Sequence, residues 1–171
     1  MTSDLENHAQ KYFESKYADT EIVIGLVGAV GTPQKLVVEI LTERLNLYNY
    51  VASQIRVSQD VIHTLYNDIP DDFTSESERI TTYIEKGNQA RKESGDNSIL
   101  ALGVSSDIFS KREQDEQGSV KPKARTTYII NSLKHPKEVT CLRDIYTDGF
   151  YLIGIHSDKK RRIDYLTNEK K

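Results

Sequence analysis

The chain has 171 residues, 37% apolar and 29% charged, with a net charge of −3, which suits one domain with a real core and excludes a polycation built for nucleic acid. No stretch approaches the ~20 apolar residues of a membrane span, and the N-terminus is polar and acidic, without the apolar core of a signal peptide. The single cysteine, Cys141, excludes an internal disulfide and leads to the expectation of a cytoplasmic location.

Residues 1–20 read as a helical or frayed lead-in. Residues 21–27 run apolar without polar alternation, as in a parallel strand buried on both faces. A helix follows over 33–47, with Val37, Ile40, Leu41 and Leu45 at helical spacing, Thr32 as its N-cap and Pro33 as its first residue. Residues 48–57 read as a second strand. Ser58 then caps a helix carrying Val61, Ile62, Leu65 and Ile69, stopped by Pro70.

After a loop at 71–75, the next helix carries Ile80, Tyr83, Ile84 and Ala90, with a break expected at Gly87-Asn88. Asp96-Asn97 caps a further helix over 99–109. Residues 111–123 are charged and aperiodic, and are expected to form an exposed, mobile loop. Residues 126–130 read as a third strand. His135-Pro136 opens a helix with Val139, Leu142 and Ile145 or Tyr146. Gly149 precedes a fourth strand at 150–155, and a short basic helix covers 158–167. No internal repeat is present.

Strands alternating with helices imply βαβ units. The expected fold class is α/β: a three-layer P-loop NTPase (nucleotide-kinase-like) fold over 21–167 with a mainly parallel sheet. Strand 1 is expected at the centre, between the strands at 126–130 and 150–155. P-loop kinases usually have five strands, so four suggest a small variant or a piece of a longer protein.

The first strand leads into three glycines at a spacing of three, Gly25, Gly28 and Gly31. A working P-loop reads G-x-x-x-x-G-K-[ST], with Lys on the phosphates and the hydroxyl on Mg²⁺. Counted from Gly28, the last three positions hold Pro33, Gln34 and Lys35. The frame is a phosphate loop, with Gly28, Ala29, Val30, Gly31 and Thr32 offering backbone N–H groups to an anion at a helix N-terminus. The charge is missing: Gln34 stands where Lys belongs, and Lys35 points about 100° further round the helix. At the end of the third strand, Asn131 stands where a carboxylate would hold Mg²⁺. The loop is therefore expected to bind a nucleoside triphosphate, ATP or a dNTP, without Mg²⁺, or to be a turn that binds nothing.

Arg56, Arg79, Arg91, Arg125, Arg143, Arg161 and Arg162 are candidate phosphate clamps. Arg161 and Arg162 stand out because nucleotide kinases place lid arginines after the fourth strand. The four histidines show no metal spacing, and without H-x-E or C-x-x-C no zinc site is expected.

Several segments together resemble a known family. They are Ile24-Gly25-Leu26-Val27-Gly28-Ala29-Val30-Gly31-Thr32, Gly87-Asn88 with Arg91, Leu142-Arg143 and Phe150-Tyr151-Leu152-Ile153-Gly154. The most specific is Tyr128-Ile129-Ile130-Asn131-Ser132-Leu133-Lys134-His135-Pro136-Lys137-Glu138-Val139. The chain, over roughly 20–166, resembles the N-terminal half of two-domain bacterial deoxycytidylate deaminase-like proteins, the anti-phage dCTP/dCMP deaminases. In that family a P-loop, nucleotide-kinase-like domain precedes a zinc deaminase domain. The deaminase signature, H-x-E followed by P-C-x-x-C, is absent from this sequence. The resemblance thus implies a regulatory, nucleotide-sensing half, partnered by a C-terminal deaminase domain if the protein is longer. A homo-oligomer or a protein or RNA regulator is a further expected partner. The competing readings are an active nucleotide kinase, with Lys35 replacing the shifted lysine, and a ligand-free interaction module.

Overall fold

A computed structural model describes residues 20–114, 116 and 118–169. The expected lead-in at 1–20 lies outside them except for Thr20, and so do Lys170 and Lys171. The protein is α/β, with a four-stranded sheet in the order β2-β3-β1-β4 and every pairing parallel. The strands are β1 (Glu21–Gly28), β2 (Val51–Arg56), β3 (Thr126–Leu133) and β4 (Phe150–Ile155). β1 lies between β3 and β4, as its uninterrupted apolar run requires.

Side chains of β1 alternate between two cores. Ile24 and Leu26 join Ile129 and Val38 on one face, covered by α1 (Gln34–Leu47). Val23 joins Tyr128 and Ile130 on the other, covered by α4 (Ile99–Lys111) and α5 (Pro136–Tyr146). Between β2 and α4 come α2 and α3 (Glu76–Ser94). α2 is a π-type segment, Val57–Ile62, followed by one α-turn, His63–Leu65. A basic helix, α6 (Lys159–Asp164), ends in a π-type turn, Tyr165–Glu169.

Several local expectations are corrected. Pro33 occupies the N-cap position of α1, not its first helical position, and Thr32 makes no cap. The buried residue of α1 is Val38, and Ile40 is exposed. The second strand starts at Val51, because the chain turns at Tyr48 and Asn49, whose φ is +60°. Arg56, not Ser58, caps the next helix, which stops at Leu65, leaving Ile69 buried in a turn and Leu65 exposed.

The third helix is unbroken at Gly87. That glycine is a packing position: a Cβ there would lie 3.3 Å from Ile62 Cδ1. Its helix begins at Ser75, whose hydroxyl accepts from the Glu78 N–H, and stops at left-handed Gly95. Asp96 acts two residues before the Ser98 N-cap of α4, accepting from the N–H and hydroxyl of Ser98. The loop expected at 111–123 starts only after Lys111, and a single carboxylate ties down both its ends. Glu21, nearly buried, ion-pairs with Arg112 and accepts from the Lys123 N–H at 2.8 Å.

Candidate functional site

A cleft of about 510 Å³ opens at the carboxyl ends of β1, β2 and β3. From β1 the chain crosses to one side of the sheet, and from β3 to the other. Loops that part in this way leave a crevice, the usual ligand position in open parallel sheets. The glycine loop, the end of β3 and one face of α3 form its walls.

Within the loop, Thr32 N–H donates to the Ala29 carbonyl at 3.1 Å, and Gln34 N–H donates to the Thr32 carbonyl at 2.8 Å. The second bond closes an inverse γ-turn centred on Pro33, at φ −75° and ψ 72°. Two N–H groups are therefore used locally and Pro33 has none. That narrows the expected anion cradle to the N–H groups of 29–31.

Gly31 has φ +82°, so glycine is required there. It is also covered. A Cβ on Gly31 would lie 2.7 Å from the Arg162 carbonyl oxygen and 2.9 Å from Leu166 Cδ1. The Arg162 guanidinium donates to the Val30 carbonyl at 3.1 Å. Arg162 thus holds the loop itself. Arg161 is exposed, in a shallow depression with Pro33 and Leu36 outside the cleft. Gly25 is not in the loop either: it is buried in β1, where a Cβ would strike Leu133 Cδ1 at 2.7 Å.

β3 does not end at Asn131; it continues to Leu133. Its pairing with β1 shifts there, with Gly25 opposite Ile130 but Val27 opposite Leu133. Ser132, at φ +72°, absorbs the irregularity. Asn131 pairs with Arg56 of β2 and its Oδ1 is buried without a hydrogen-bond partner. The Ser132 hydroxyl donates to Gln34 Oε1 at 3.1 Å, so a neutral contact ties the position that holds Lys in a working site to the residue next to Asn131. Thr32 is 7% exposed and its hydroxyl also lacks a partner.

Lys134 follows directly. Its ammonium donates to the Gly28 carbonyl at 3.2 Å. The residue as a whole is exposed, but its reach into the loop desolvates the amine and lowers its pKa, a shift partly countered by Glu138. The opposite wall belongs to α3. Arg79 makes two 2.7 Å bonds to Glu76, which hold its pKa above the ordinary value. Its guanidinium stands 5.8 Å from the Tyr83 ring centre. The Tyr83 hydroxyl meets His63 Nδ1 at 3.1 Å, and burial raises its pKa. Lys35 lines the cleft but is 84% exposed and leans on Glu39 at 3.8 Å.

The structure therefore gathers Ala29, Val30, Gly31, Thr32, Gln34, Lys35 and Asn131 at one cleft, sets Gly28 at its edge through the Lys134 contact, and places Gly25, Arg161 and Arg162 elsewhere. Lys134 and Tyr83 were not singled out from sequence as site residues. Lys134 sat inside the most specific segment, and Tyr83 read as a core residue on its helix. Among the described residues no group of three or more His, Cys, Asp or Glu could hold a metal, and no helix is long and apolar enough to cross a membrane. Compared with known proteins, the chain matches no family model and no curated protein.

Proposed function

We propose that the cleft binds a nucleoside triphosphate, ATP or a dNTP, without transferring its phosphate, on a P-loop, nucleotide-kinase-like fold. The observation that carries this reading is the joining of Gln34 to Ser132 beside Asn131. Amides and hydroxyls occupy the positions where phosphoryl transfer needs a lysine and a Mg²⁺-holding carboxylate. Such groups still hydrogen-bond phosphate oxygens. The strand order, with β3 beside β1, supports the fold assignment because it brings the end of β3 next to the glycine loop.

In this reading the chain is a regulatory, nucleotide-sensing domain of the kind that precedes the deaminase domain in anti-phage dCTP/dCMP deaminase-like proteins. Its partner is then a C-terminal deaminase domain, whose deamination of dCTP or dCMP depletes nucleotides during phage infection. Calorimetric titration with ATP and the four dNTPs, with and without Mg²⁺, tests the site. Micromolar binding indifferent to Mg²⁺ is expected, and Mg²⁺-dependent binding argues for the kinase alternative.

One observation favours a competing reading. Arg162 and Leu166 pack directly on Gly31, as in a loop that serves only as scaffold for a protein or RNA interaction module. Absence of heat with every nucleotide selects that module.

A further inference from the structure

We infer that Lys134, delivered from the carboxyl end of β3, supplies the positive charge to a phosphate oxyanion in this cleft, in place of a loop lysine. The inference rests on the nucleotide reading above and names the residue on which it depends.

Position is the first argument. The Lys134 ammonium stands 3.2 Å from the Gly28 carbonyl, where β1 ends and the loop begins, and the residue lines the cleft. An ammonium carries three donors, and Gly28 takes one. A lysine is a compact point charge that contacts phosphate without the bidentate geometry of arginine.

Availability is the second. Arg79 is doubly bonded to Glu76 and Arg162 holds the Val30 carbonyl. Arg56 donates to a neutral amide, Gln59, and stays charged, but its strand, β2, is separated by β3 from β1 and the loop that follows it. Lys35 leans on Glu39. Among the described residues no carboxylate forms an ion pair with the Lys134 ammonium. The nearby hydroxyl of Thr32, buried and unpartnered, adds a second group whose hydrogen-bonding capacity a ligand would satisfy.

Rigidity is the third. The buried Glu138 carboxylate accepts from the backbone N–H groups of both Lys134 and His135, at 2.8 and 3.0 Å, and is itself held by Arg91 at 2.6 Å. The main chain that presents the lysine is therefore fixed before any ligand arrives, which lowers the cost of ordering it.

The shared chemistry is a polyphosphate chain, carried by a nucleotide or free. Calorimetry with ATP, dCTP and inorganic tripolyphosphate distinguishes the sources. It is run on the parent chain, Lys134→Met, Lys134→Arg, and Lys111→Met as a charge-loss control outside the cleft. Circular dichroism and urea midpoints establish that each variant is folded.

Lys134→Met is expected to weaken nucleotide binding about tenfold or more, the scale of a hydrogen bond to a charged group. Lys134→Arg is expected to recover most of the affinity and Lys111→Met to leave it unchanged. Equal affinity of Lys134→Met and the parent overturns the inference and leaves the nucleotide reading standing. If tripolyphosphate alone binds, and Lys134→Met loses it, the lysine assignment stands and the nucleotide reading falls. If the parent binds none of the three, both fall.

Discussion

Arg91 of α3 and Glu138 of α5 form a 2.6 Å ion pair in which the carboxylate is 1% exposed. Glu138 also accepts two backbone N–H groups of the turn that leaves β3. His135 completes the cap by accepting from the Lys137 N–H at 3.1 Å. One side chain thus joins two helices to the turn that carries Lys134. Removing Arg91 leaves a buried carboxylate without its counter-charge. Removing Glu138 leaves two N–H groups unpaired and the guanidinium without its counter-charge, held only to Asn88 Oδ1 at 3.3 Å. Either Arg91→Ala or Glu138→Ala is expected to cost about 3–5 kcal/mol, read from urea unfolding. A loss below about 1 kcal/mol for both, the range of an exposed pair, would show that solvent reaches the pair.

Gly31 couples the loop to the C-terminal helix. Any Cβ there is strained at φ +82° and meets the Arg162 carbonyl at 2.7 Å. Gly31→Ala is expected to cost about 1–2 kcal/mol from backbone conformation alone and to loosen α6. Tryptic cleavage after Lys159, Lys160 or Arg161 should quicken in that variant. An unchanged cleavage rate would mean that α6 does not rely on its contact with the loop. Substitutions at Gly31 therefore report on helix docking as well as on the ligand, and Lys134 is the cleaner probe of binding.

The place of β1 between β3 and β4 was legible because the apolar runs at Ile22, Val23 and Ile24 and at Tyr128, Ile129 and Ile130 carry their own signal. The apolar run of β4, by contrast, belongs to an edge strand with Tyr151 and Leu152 exposed, and nothing local placed β2 at the other edge. The α5 start was legible too, since His135-Pro136 followed by Glu138 is a local pattern. What sequence reasoning missed is tertiary. Gly87 looked like a helix breaker because its partner Ile62 is 25 positions away along the chain. Ile69 looked helical because it follows Val61, Ile62 and Leu65 at helical spacing, although a turn buries it. Nothing local to Arg162 says that its guanidinium reaches Val30, and nothing local to Lys134 says that Gly28 lies opposite. Candidate residues inside the loop were found from spacing and Asn131 from its place after an apolar strand, whereas Lys134 and Tyr83, delivered from other elements, were not.

Phosphoryl transfer is expected to be absent. Gln34 and Asn131 leave no charge at the two positions that most need it, and Ser132 occupies Gln34 by hydrogen bond. ATP consumption with any dNMP should stay far below the ~1–100 s⁻¹ of kinases. Turnover in that range, measured by coupled assay on the parent chain, would establish a kinase that uses another lysine.

The alkaline limit of stability should be set by buried phenols. Burial raises the pKa of Tyr128, Tyr146 and Tyr83. Each holds its proton more tightly folded than unfolded. Their stabilisation is complete below the ordinary phenol value of about 10 and is lost as pH climbs through the raised native values. Tyrosinate absorbance and circular dichroism should therefore change together in that range. Tyr128 Oη is buried without a partner, so Tyr128→Phe should raise stability at neutral pH by about 1 kcal/mol. A loss on Tyr128→Phe would reveal a hydrogen bond made through water.

Among the glycines of the described residues, Gly103 of α4 would set a Cβ nearest to a neighbouring atom. A Cβ there would collide with Val61 Cγ1 and sit 3.7 Å from both Val61 Cβ and Cγ2. Val61 is 3% exposed and belongs to the larger core. Its branched side chain is stiff at χ1 and cannot swing aside cheaply. Gly103→Ala should therefore destabilise by about 1–3 kcal/mol, although alanine is the better helix former by about 1 kcal/mol. The two effects have opposite signs, so the measured direction decides which governs. Adding Val61→Ala removes the colliding methyl groups and should recover part of the loss, giving a coupling of about 1 kcal/mol in a double-mutant cycle. Simple additivity of the two losses in urea unfolding would mean that α4 shifts away from α2 instead of pressing on Val61.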